Sequence, residues 1–86
     1  MRKELYAIYD KVAETFTDPA GFQNEALAKR SFGDLVSGDG VYNAHPDDFD
    51  FYLVGYYDVR NGCMLSYDDI VLPKLICRGT DYVDIR

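Results

Sequence analysis

The sequence has no tryptophan, one histidine, two cysteines and three prolines among its 86 residues. Each scarcity removes a class of explanation. His45 stands alone, with no serine or cysteine nucleophile motif beside it, so no catalytic dyad or triad is legible. Its place just before Pro46 suits a turn. Cys63 and Cys77 form no C-x-x-C and have no histidine partner, which removes the zinc and dithiol motifs. Free thiols in a reducing compartment are the expectation. No stretch of about 20 apolar residues occurs, so no transmembrane helix is expected. The N-terminal residues lack the apolar run of a signal peptide, and the cytoplasm is the expected location. Asp47, Asp48 and Asp50 lack the spacing of a calcium loop, and Gly38-Asp39-Gly40 is too short for a phosphate loop. Neither a metal, nor a cofactor, nor an enzymatic activity is expected. Cations are also scarce. Nine Lys and Arg face 15 Asp and Glu, for a net charge of -6. That balance opposes general attraction to nucleic acid, although a confined basic patch remains open to it.

What the chain does have is aromatic content: eight Tyr and five Phe, within 48% hydrophobic residues. This length and composition predict one small folded domain, over residues 1–79, with a polar tail over 80–86. Leu5 to Tyr9 reads as a first strand. Asn24 reads as a helix N-cap, with Glu25 in the favourable first turn. Ala28, Phe32, Leu35 and Val36 then recur on one face of an amphipathic helix ending near Ser37, with Gly38 beyond it. Pro46 opens a short turn, and Asp50 to Val59 reads as the longest strand. Asn61-Gly62 signals a two-residue hairpin, with Cys63 to Tyr67 returning. Pro73 interrupts the last apolar segment and consigns it to an edge. The expected fold is α+β: a small, mostly antiparallel sheet with one helix on one face, in the order β-α-β-β with a further strand.

The long strand is apolar on both faces. Strict alternation places Phe51, Leu53, Gly55 and Tyr57 on one side and Tyr52, Val54 and Tyr56 on the other. The glycine suggests that the helix packs over Phe51, Leu53 and Gly55. That leaves Tyr52, Val54 and Tyr56, with Leu65 and Tyr67 across the hairpin, as an aromatic patch that needs a cover. A homodimer through Tyr52, Val54, Tyr56 and Leu65 is one expectation. The other is single-stranded nucleic acid, with bases stacked on Tyr52, Tyr56 and Tyr67 and phosphates held by Lys29, Arg30 and Lys3. Ordinary solvated charges and core-packed tyrosines are the plainer reading of the same residues.

Several segments together resemble the small nonstructural protein of gokushoviruses, single-stranded DNA phages of the microvirus group. They are L-Y-A-I-Y-D at 5–10, R-S-F-G-D-L-V at 30–36 and H-P-D-D-F-D-F-Y-L-V-G-Y-Y-D at 45–58, followed by N-G at 61–62. The resemblance implies a non-virion, non-enzymatic accessory in the host cytoplasm. It would favour single-stranded genome synthesis or packaging over duplex replication. Its implied partners are single-stranded DNA or a phage or host replication protein. The resemblance implies no catalytic residues.

Overall fold

The computed structural model describes residues 1–83. The chain runs β1 (Arg2–Asp10), β2 (Thr15–Phe16), β3 (Ala20–Phe22), α1 (Glu25–Val36), α2 (Val41–Ala44), β4 (Phe49–Asp58), β5 (Met64–Leu65) and β6 (Lys74–Arg78). Short 3-10 turns cover Pro46–Asp48 and Gly79–Tyr82. The expected α+β class, antiparallel sheet and single main helix are all present. The sheet has six strands, more than expected, and two short ones precede the helix.

β1 and β4 form the centre, paired antiparallel along nearly their whole lengths. β2 and β3 share the outer edge of β1, one at each end. β5 and β6 share the outer edge of β4 in the same way. Between β2 and β3 the edge is kept satisfied by Thr17. Its N–H donates to the Ile8 carbonyl at 2.8 Å and its Oγ1 accepts from the Ile8 N–H at 2.9 Å.

α1 starts where the Asn24 side chain accepts from the Leu27 N–H at 2.9 Å, which satisfies one of the orphan donors of the first turn. Its far end is completed by Asn43 from α2, whose Nδ2 donates to the Val36 carbonyl at 2.8 Å. The helix buries Ala28, Phe32, Gly33 and Val36. Leu35 was expected on this face but is 45% exposed. Gly33 replaces it inward, because the ring of Tyr82 lies where a side chain would be: a Cβ at Gly33 would come within 3.0 Å of it.

The core is a stack of rings crossing from sheet to helix. Tyr6 lies on Phe51 at 5.2 Å between centroids, and Phe51 lies on Phe32 at 4.7 Å, both nearly parallel. Phe22 and Tyr82 meet the two ends edge-on. Each such pair contributes about 0.5–1.5 kcal/mol beyond area burial. Tyr82 and Val83 pack against this core, so the polar tail expected from residue 80 does not begin there. The rest of that expected tail, 84–86, lies outside the described residues.

Two further expectations are corrected. The hairpin is not a two-residue turn. Asp58 donates its N–H to the Cys63 carbonyl at 2.9 Å, enclosing the four residues 59–62. Gly62 alone of these has positive φ, at 73°. A type I′ turn would need Asn61 there as well. Nor does the helix sit over Gly55. The atoms nearest a Cβ at that position belong to Met64 and Leu5.

The H-P-D-D turn has a packing partner the sequence did not reveal. Gly79 lies directly against it, and a Cβ at Gly79 would overlap the Pro46 carbonyl. His45 contributes backbone here, its carbonyl accepting from the Asp48 N–H at 3.1 Å.

Candidate nucleic-acid interface

The faces of the sheet follow from the β1–β4 register. Tyr6 pairs with Leu53, but Leu5 pairs with Gly55. β4 therefore holds one extra residue, Val54, a bulge that reverses side-chain parity along the rest of the strand. Before it, Phe49, Phe51 and Leu53 face the helix. After it, Tyr56 does, and it is only 5% exposed within the core cluster.

This overturns the expected patch. Tyr52 and Tyr56 lie on opposite faces. Leu65 pairs with Tyr56 and Tyr67 meets it edge-on at 5.1 Å, so both join the helix side. Val54 sits half-buried at the bulge. Lys29 and Arg30 ride on α1, also on the helix side, with Lys29 3.7 Å from Glu25. Of the six expected nucleic-acid residues, only Tyr52 and Lys3 lie on the face away from the helix.

Tyr56 and Tyr67 do form a cluster, with Arg2 as its cation. The Arg2 guanidinium lies 4.4 Å from the Tyr56 ring centroid and 5.0 Å from that of Tyr67. A hydrogen bond with Tyr67 raises the Arg2 pKa, while burial pushes the Tyr56 phenol up. The arrangement pins the start of β1 to the segment after β5.

The opposite face is the open one. α1, α2, the Gly79–Tyr82 turn, Ile70 and Leu72 all pack on the helix side. By register the open face carries Lys3, Leu5, Ala7 and Tyr9 from β1 and Asp50, Tyr52, Gly55 and Tyr57 from β4. Leu75 and Arg78 join it from β6, and Phe16 from β2.

Three rings gather at one end of this face. Tyr9 lies 4.8 Å from Phe16, Phe16 lies 5.4 Å from Tyr52, and Tyr9 lies 6.3 Å from Tyr52. Phe16 is 44% and Leu75 38% exposed. Cations flank them. Arg78 pairs in register with Asp50, whose carboxylate lies 3.5 Å from the Lys11 ammonium. Lys11 also donates to the Asp47 carbonyl at 2.9 Å, which fixes its position. Lys3 lies further along β1, opposite Tyr57. The only carboxylate that the register assigns to this face is Asp50, and it is buried and paired. Among the strand residues that the register assigns, this face carries Lys3 and Arg78, with Lys11 beside it, against the single carboxylate of Asp50.

Tyr9 and Phe16 were not singled out from sequence as site residues. Tyr9 was within reach, because it alternates with Lys3, Leu5 and Ala7 along β1. Phe16 and Arg78 join the face only through pairings that no local pattern announces.

Among the described residues no group of three metal-ligating side chains converges. No described helix is long and apolar enough to cross a membrane.

A family model described as "Phage ORF5 protein" matches residues 3–82. The chain is 34% identical to Protein ORF5 of Chlamydia phage 1, in an alignment covering 98% of this chain and 92% of that protein. No solved structure is significantly similar.

Proposed function

Because the chain belongs to the phage ORF5 protein family, we propose that it is a nonstructural accessory of phage genome replication that binds single-stranded DNA on the open face of its sheet. Binding there would favour single-stranded synthesis or packaging by keeping the strand from its complement. The observation that carries this reading is the open face itself, where Tyr9, Phe16 and Tyr52 cluster beside Lys11 and Arg78, with Lys3 further along β1. Aromatic rings offer sequence-tolerant stacking platforms to unpaired bases, and cations track the phosphates. An open sheet face meets the splayed bases of a single strand better than it meets a duplex, whose base faces are hidden in the stack. The negative charge elsewhere suits a protein that engages DNA through one patch rather than coating it. The reading is non-enzymatic and places the protein in the host cytoplasm.

A second copy of the chain is the competing cover, since Phe16, Tyr52 and Leu75 would also be buried in a homodimer. A phage or host replication protein could occupy the face in the same way. Fluorescence anisotropy with a labelled oligonucleotide, beside sedimentation of the protein alone, separates these. The DNA reading expects salt-sensitive binding of single strands by a species that is monomeric at about 10 μM. A dimer that shows no binding in low salt refutes it.

A further inference from the structure

A second site lies on the other side of the molecule, where the chain leaves the sheet between β2 and β3. There α1 and the Thr17–Ala20 segment enclose a pocket of about 90 Å³. Its floor is buried and apolar, made by Tyr6, Ile8, Phe32 and Phe51. Its mouth is framed by exposed residues, Asp18 from the loop and Leu35 from the helix. Leu35 occupies a core position of the helical repeat and yet stays 45% exposed, because it borders this opening rather than a neighbouring element. Among the described residues Asp18 forms no ion pair.

We propose that this pocket is a docking site for one branched aliphatic side chain of a partner protein, presented next to a basic residue. Size sets the first half. A dry cavity of about 150 Å³ takes benzene, so one of 90 Å³ takes a smaller apolar group such as an isobutyl. Of the hydroxyls in the lining, Thr17 Oγ1 already accepts from the Ile8 N–H and Tyr6 donates to Glu4, whereas small-molecule sites carry several convergent polar groups. Charge sets the second half. The free carboxylate of Asp18 stands at the mouth of an apolar hole in an acidic chain, which complements a cation beside the inserted side chain. The site is independent of the DNA reading, since none of the rings and cations of that reading lines the pocket. Occupied together, they would hold a protein against a single strand.

The test is a heteronuclear NMR titration of the isotope-labelled full chain with three blocked tripeptides: Lys-Leu-Lys, Lys-Ala-Lys and Glu-Leu-Glu. Lys-Leu-Lys is expected to shift the amides of Thr17, Asp18, Ser31 and Leu35. Binding of the other two is expected to be about tenfold weaker or less. Dissolved xenon is expected to perturb the same amides, as a probe of the apolar floor alone. Ala20→Leu, which narrows the mouth from an exposed strand position, should abolish both responses while leaving DNA affinity unchanged. Equal binding of Lys-Ala-Lys, shifts centred elsewhere, or no shift at about 10 mM peptide overturns the proposal. Loss of DNA binding in wild-type protein would leave it standing.

Discussion

Removing one cation from the open face should change the salt dependence of DNA binding by a calculable amount. The face presents three cations, Lys3, Lys11 and Arg78. For single strands, log K falls with log salt by about 0.7 per neutralised phosphate. Three contacts give a slope near -2, and affinity should fall roughly 20-fold between about 50 and 200 mM salt. Arg78→Ala leaves two contacts, a slope near -1.4 and a fall of roughly sevenfold. The fold should survive, because Arg78 is exposed and it is its backbone N–H that donates to Asp81, at 2.8 Å. The assay is anisotropy of a labelled oligonucleotide across a salt series, with circular dichroism as the control for folding. Lys29→Ala combined with Arg30→Ala removes twice as much charge from the helix side and should still leave the slope unaltered. An unchanged slope in Arg78→Ala, together with a reduced one in the helix variant, would refute the assignment of the face.

Other consequences concern stability and titration. Gly79→Ala should destabilise the fold by about 3 kcal/mol, because backbone rather than a flexible side chain blocks the new methyl, and urea midpoints would show it. Tyr56→Ser should cost about 3 kcal/mol or more by emptying a core position, whereas Tyr52→Ser should cost well under that and weaken DNA binding instead. Equal melting temperatures for the two would contradict the bulge. Burial holds the Tyr6 and Tyr82 phenols above their ordinary value near 10, helped by hydrogen bonds with Glu4 and Cys77 respectively. Their raised folded pKa contributes stability that is intact below pH 10 and lost as pH climbs through the folded value. Denaturant midpoints should therefore hold to about pH 10 and drop above it, less steeply in Tyr82→Phe.

The sequence made the local structure legible where one signal sufficed. Asn24, Ala28, Phe32 and Val36 announced α1 because a cap and a 3.6-residue period lie within one element. β1 and β4 were equally visible as aromatic and branched runs. The site was less legible, for a physical reason. A period of two assigns faces only while the ladder is regular, and Val54 adds a residue that no local propensity marks. Every face assignment after position 54 was consequently inverted, which moved Tyr56 from the expected patch into the core. Leu35 misled in the opposite direction: its spacing was right, but what lies opposite it is an opening. Gly79 and Tyr82 looked like a tail because their partners, Pro46 and Gly33, are distant in sequence.

The extra residue in β4 also governs how the chain should be compared with its relatives. Upstream of Val54 and downstream of it, the strand obeys opposite inward–outward rules, so the two halves are separate reading frames for side-chain direction. A relative with the same number of residues between Leu53 and Tyr56, but paired without the bulge, would stay recognisable on both sides and yet exchange Tyr56 for Tyr57 in the interior, whereas loss of one residue there would remove the bulge and keep Tyr56 inward. Relatives differing in the bulge alone would present different rings to the solvent while scoring as near-identical over the strand. Alignments of this family are therefore best anchored at Phe51 and at Tyr56 independently, with any gap judged by which tyrosine it turns inward.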